Sequence, residues 1–128
     1  MTEVPRTPAA FVDWFVARHP ALGPILEEHL SDKGGELLPH LLFGEVTRYA
    51  ADLPRRAEEE PEADEELRWL LADLDAAIMP NGGDDPVDNL IWVSFVENAQ
   101  GVTADPEEAL RERLRSFPNL ARALSHYE

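Results

Sequence analysis

The chain has 128 residues, of which 44% are apolar; its formal charge is −15 and it holds no cysteine. That length and apolar content suit one domain with its own core, and the lack of cysteine excludes disulfide frameworks, thiolate metal sites and cysteine nucleophiles. No apolar run approaches the roughly 20 residues that span a bilayer, and the start MTEVPRTPAA lacks the basic and apolar regions of a signal peptide, so a soluble cytoplasmic protein is expected.

Thr7-Pro8 is a helix-start signal. A capping residue accepts backbone N–H bonds, and a proline then takes the first helical position, where its missing N–H costs nothing. Phe11, Val12, Trp14, Phe15 and Val16 make a strongly apolar first helix. It must end near His19, because Pro20 disfavours helical geometry in the residue before it. Leu22, Ile25, Leu26 and Leu30 predict a second helix by their spacing, with Glu27, Glu28 and Asp32 facing away and Gly34-Gly35 closing it. A third helix is expected over about 36–53. Pro39 falls in its first turn, and Leu38, Leu42, Val46, Tyr49 and Leu53 form its apolar stripe. The opposite side carries His40, Gly44, Thr47 and Arg48. Glycine within a helix costs about 1 kcal/mol against alanine. Gly44 therefore marks either a tight helix crossing, the favoured reading, or a shallow notch between His40 and Arg48 that receives a partner.

Residues 54–61, with two arginines, three glutamates and flanking prolines, read as an exposed acidic connector. A fourth helix over about 62–79 has Leu67, Leu70, Leu71, Leu74 and Ile78 as its core stripe. The acids Glu65, Glu66, Asp73 and Asp75 lie mostly off that stripe, and Asp64, Glu65 and Glu66 suit the positive end of the helix dipole. Trp69 also lies off the stripe. Cover by another helix is the favoured reading, and a partly exposed anchor the alternative. Residues 80–84 are a turn by composition.

The most apolar stretch follows, at 85–101. Asp85 is its N-cap, Pro86 opens the helix, and Asp88 sits in the first turn. At about 100° per residue its apolar side chains go nearly all the way round, which predicts a central helix covered by others. The run LIWVSFV would also suit a buried strand, but the start signal and the continuation at 97–100 favour helix. A third cap-plus-proline signal at Asp105-Pro106 opens another helix, carrying Ala109, Leu110, Leu114 and Phe117 on its core side. A short last helix with Leu120, Ala121 and Leu124 follows Pro118. The expected architecture is all-α: one domain over 1–128, with six or seven antiparallel amphipathic helices around a central apolar helix at about 86–100. It would be a bundle or a short HEAT-like stack.

The residues that could carry chemistry do not converge. His19, His29, His40 and His126 show no zinc-type spacing, and read as surface or boundary histidines. Glu36 and His40 share a helix face, but two ligands do not make a metal site. The serines lie in no nucleophile-elbow pattern, and the acids around Asp84 do not match a calcium loop. No catalysis, metal or cofactor is expected. The charge is more informative. Residues 58–110 hold sixteen acids against a single base, Arg68, whereas the two flanks nearly balance. Such a field opposes nucleic acid and anionic membranes, and favours a basic protein partner. The candidate surface comprises His40, Gly44 and Arg48 on the third helix, and Glu65, Glu66, Trp69, Asp73 and Asp84.

Two segments, 35–49 (GELLPHLLFGEVTRY) and 87–98 (VDNLIWVSFVEN), resemble signature segments of a family of small, uncharacterised, all-helical bacterial proteins. Chains similar to these occur among candidate immunity proteins of polymorphic toxin systems. The resemblance implies an inhibitor that neutralises a basic toxin encoded nearby, and it carries over no active residues. The competing expectations are a scaffold or oligomerising subunit, burying Trp69 and the Gly44 notch against a second copy, and a metal-dependent enzyme using Glu36 and His40.

Overall fold

Thr7 precedes the first helix in extended backbone, as a capping residue should. Its carbonyl accepts the Phe11 N–H at 2.8 Å, although its hydroxyl makes no capping bond. In this computed structural model, which describes residues 4–78, 85–97, 99 and 105–127, the chain runs as follows. α1 is Pro8–Arg18, a 3-10 turn is Pro20–Leu22, and α2 is Gly23–Asp32. α3 is Pro39–Arg56 and α4 is Glu62–Ala77. α5, Pro86–Ile91, passes directly into a π-helical segment, Trp92–Val96. α6 is Asp105–Leu114 and α7 is Pro118–Tyr127. The fold is all-α, with no strand among the described residues. One apolar core gathers Phe11 and Phe15 of α1, Leu42, Phe43 and Val46 of α3, the leucines of α4, and Phe95, Leu114 and Leu124.

Most helix ends follow local chemistry. α1 stops one residue before His19, whose N–H still reaches the Phe15 and Val16 carbonyls. α2 ends in a left-handed turn: Gly34 has φ +65° and Gly35 φ +87°, and the Gly35 N–H returns to the Leu30 carbonyl at 2.7 Å. Positive φ is free for glycine and strained for other residues, so the glycine pair fixes this stop.

Three differences from the expected elements have physical causes. α3 starts at Pro39 and runs through Pro54 to Arg56, so the connector shrinks to a turn whose exposed residues are glutamates 58–60 and Pro61. Pro54 removes one backbone bond. Burial of Leu53 and packing of Ala57 against the core hold the helix together beyond it. In α2 the residue most deeply buried is His29 and not the aliphatic stripe, because its Nε2 accepts the Leu38 N–H at 3.0 Å and ties the turn before α3 back onto α2.

The third difference lies in the most apolar stretch, which is not one uniform α-helix. Beyond the exposed Pro86, its exposed described residues are Asn89, Val93 and Glu97, spaced by four, while Ser94, Phe95 and Val96 are all buried between the last two. Trp92–Val96 is π-helical, with turns wider than the 3.6 residues of an α-helix, and this keeps those positions on one line. The widening turns Ser94 inward. Its carbonyl lies 3.2 Å from the Thr47 hydroxyl, which donates to its own Phe43 carbonyl at 2.7 Å. Farther on, the Ala99 carbonyl accepts from the Arg111 guanidinium at 2.6 Å. α5 and the π segment pack against α1, α3, α4 and α7, and α3 itself touches α1, α2, α4, α5, the π segment and α6.

Candidate functional site

Glu62, Glu65, Glu66 and Trp69 recur at spacings of three and four, which places them on one face of α4. Opposite them stand His19, Pro20 and Ala21, in the link between α1 and α2. Together these seven residues line an open groove of about 480 Å³. Pro20 builds its wall, because the helix break it imposes puts the His19 side chain across from α4. Trp69 is 47% exposed in this groove. Helical cover of its indole, the favoured expectation, is thus not what the structure shows. His19 meets only one side of it, at 4.4 Å between ring centroids.

Behind the groove, His19 belongs to a charged network. His19 is 2% exposed, and its Nε2 lies 2.7 Å from Oδ2 of Asp73, one helical turn beyond Trp69. The Arg18 guanidinium grips the same carboxylate twice, with Nε 2.8 Å from Oδ2 and a terminal nitrogen 3.1 Å from Oδ1. Arg18 also lies over the Trp14 ring at 5.2 Å. A carboxylate that accepts from arginine accepts from the histidine as well, so the His19 proton resides on Nε2. Nδ1 is then left with a lone pair and is buried without a hydrogen-bond partner. Burial drives the His19 pKa down from its ordinary 6.5, and the Asp73 bond only partly opposes that. Glu66 accepts the Tyr49 hydroxyl at 2.5 Å, and burial, with this bond adding to it, pushes the Tyr49 pKa up to about 12.

The His19 shift has a measurable consequence. A base whose native pKa lies below its unfolded value binds protons more readily in the unfolded chain. Acidification through the unfolded value near 6.5 must therefore cost stability, with a slope of up to about 1.4 kcal/mol per pH unit. Urea midpoints of the wild type should fall from pH 7 to pH 5, and those of His19→Gln should fall less. Equal slopes would remove His19 as the cause.

The residues picked out from sequence separate. Glu65, Glu66 and Trp69 meet in the groove. Asp73 is buried beneath it and serves as the partner of Arg18 and His19, so it is no free surface acid. His40 is exposed and its Nδ1 sits 2.5 Å from the Ser94 hydroxyl. Arg48 is exposed and Gly44 half-buried, and neither they nor His40 line the groove. Asp84 lies outside the described residues. Among those residues no three His, Asp or Glu side chains converge as a metal would require. His19, Arg18 and Tyr49 were missed. Reading His19 and His29 as surface or boundary residues fails because both are buried, and nothing in the spacing of the chain relates residue 19 to residue 73.

Other acids of the long negative segment are also structural. The Asp75 carboxylate accepts the Asn119 and Leu120 N–H groups at 2.8 and 3.0 Å, capping α7 from a distance in sequence. Asp85 accepts the Val87 and Asp88 N–H groups, as its capping position predicts, and is gripped by Arg6 in addition. The acids left in the groove wall are Glu62, Glu65 and Glu66. Compared with known proteins, the chain matches no protein-family model, no curated protein and no solved structure.

Proposed function

We propose that this chain is a non-catalytic binding protein that captures a basic protein partner in the groove between the α1–α2 link and α4, and neutralises it in the manner of an immunity protein. One observation carries the reading: a half-exposed indole, Trp69, standing among Glu62, Glu65 and Glu66. Exposed tryptophans in the middle of a polar surface are frequent binding anchors. A ring of carboxylates around one selects positive charge and speeds its arrival. The acidic balance of residues 58–110 extends that field.

The test is co-expression with the product of the neighbouring gene. A stoichiometric complex is expected, and its association should slow as salt rises because the steering field is screened. Trp69→Ala should weaken it by about 2 kcal/mol, near 30-fold in affinity. Glu62→Gln with Glu65→Gln should act mainly on the association rate. If the wild-type protein neither binds nor inhibits that product, the neutralising role falls.

A further inference from the structure

α2 is anchored by a titratable side chain. Of its ten residues, His29 is the one that is fully buried, with Ile25 and Leu26 half-buried against the core. α1, α3 and α4 instead bury aromatic and aliphatic residues. His29 Nε2 accepts the Leu38 N–H at 3.0 Å. That nitrogen therefore carries a lone pair, and the proton of the neutral ring sits on Nδ1. Nδ1 lies 3.6 Å from Oε2 of Glu45 on α3, beyond hydrogen-bond reach. Both atoms are buried, and neither has a hydrogen-bond partner. The contacts of His29 are thus asymmetric: one nitrogen holds the turn before α3, and the other faces a carboxylate that it does not yet grip.

Independently of the binding reading above, we infer that His29 is a pH-operated latch, which exchanges its bond to Leu38 for an ion pair with Glu45 and so frees the turn before α3. A second ring proton can go only to Nε2, because Nδ1 already has one. The imidazolium then offers no acceptor to the Leu38 N–H, while its charge is drawn to Glu45. Release of the turn uncovers Leu37, which packs against the core. No other charged group competes for the ring. α2 packs against α1, the 3-10 turn and α3. On α1, Asp13 is exposed and Arg18 is held by Asp73, as is His19 after it. The 3-10 turn Pro20–Leu22 carries no charge. On α3, His40 is bonded to Ser94. Glu27, Glu28 and Asp32 of α2 itself, with Lys33 and Glu36 after it, are exposed. Charge compensation by Glu45 keeps the change local, because the buried imidazolium is not left unpaired.

The experiment follows the full chain, labelled with ¹⁵N, by NMR from pH 7.5 to pH 5.5. Each histidine is read by itself, which separates His29 from His19. At pH 7.5 His29 should carry its proton on Nδ1. As it takes up the second proton, the Leu38 amide should lose about tenfold in exchange protection, once the intrinsic pH dependence is removed. That factor is the upper worth of one ordinary hydrogen bond. The amides of Leu70 and Leu71 in α4 should keep their protection. Glu45→Gln, a change at a partly exposed position, removes the counter-charge and should move the release to lower pH. His29→Gln supplies an amide oxygen in place of Nε2 and cannot be charged, so Leu38 protection should become independent of pH. If that variant does not fold, the wild type and Glu45→Gln decide. A His29 proton on Nε2 at pH 7.5 would overturn the latch. So would a His29 that stays neutral to pH 5.5, or Leu38 protection that does not follow its titration. Joint loss of protection at Leu38 and in α4 would mean global unfolding, and a release unmoved by Glu45→Gln would remove the ion pair; either result defeats the inference.

Discussion

Phe95→Ala should destabilise the protein by about 3–5 kcal/mol, a large share of the 5–15 kcal/mol that holds a domain of this size together. Phe95 is fully buried and among the largest side chains of the core. The π segment explains why. By widening its turns it brings Ser94, Phe95 and Val96 inward in succession and leaves Val93 outside, 39% exposed. Truncation therefore removes the ring from the packed interior and leaves a cavity that its neighbours fill only in part. The urea midpoint should drop with little change in slope, and the melting temperature should fall by roughly 10–15 °C. Glu59→Ala, in the exposed turn between α3 and α4, is the matched control and should change almost nothing. Similar small effects from both would mean that residues 92–96 do not pack as described.

Arg6→Ala should cost about 3 kcal/mol, at the lower edge of the range for breaking a buried ion pair, because a third of the arginine remains in water. Arg6 joins pieces of chain that are far apart in sequence. Its Nε and one terminal nitrogen bond the two oxygens of Asp85 at 3.0 and 2.6 Å. The same terminal nitrogen reaches Asp88 at 3.0 Å, and the other reaches the Ala77 carbonyl at the end of α4 at 2.8 Å. The Asp88 side chain is 5% exposed, so removing the guanidinium strands negative charge in a low-dielectric place.

The pH dependence identifies the mechanism. The Arg6 bond, aided by the Asp88 and Val87 N–H groups and opposed by burial, holds the Asp85 carboxyl below its ordinary value of 3.8. A carboxyl depressed in the native state adds stability that is complete at neutral pH and is lost as pH falls through 3.8 toward the native value. The gap between wild type and Arg6→Ala should therefore be widest at pH 7 and close below pH 4. A gap independent of pH would point to lost packing of the arginine stem. The His19 effect falls in a separate window, beginning near pH 6.5, so the two can be read from one titration of stability.

The acids of this chain divide into two populations that composition alone does not distinguish. Asp73, Asp75, Asp85 and Asp88 are engaged by Arg18 and His19, by the start of α7, or by Arg6. Glu58, Glu59, Glu60, Glu62 and Glu65 face solvent. Aspartates sit on short stems that reach backbone N–H groups and fixed arginines. The glutamates here lie on exposed helix and turn faces, where their charge is available to a partner. The field that would steer a basic protein thus comes from the turn before α4 and the first turns of that helix.

Sequence by itself determined that this chain is helical, and where most helices begin. Thr7-Pro8, Asp85-Pro86 and Asp105-Pro106 mark starts within a residue or two, and Gly34-Gly35 marks a stop, because capping, the missing proline N–H and positive φ are properties of neighbouring residues. It also identified the α4 leucines as core and placed Glu65, Glu66 and Trp69 on one surface, since spacing fixes which side chains share a helix face. Tertiary structure alone decided the rest. Local rules end α3 at Pro54, but burial of Leu53 carries it on. Uniform helical geometry gives the apolar stretch no outside, whereas packing against α3 and α7 widens its turns and assigns one. His19 looks like a helix-end histidine until the fold brings Asp73 against it, across 54 residues of chain. Burial and electrostatic pairing depend on distance in space, and no periodicity along the chain encodes that distance.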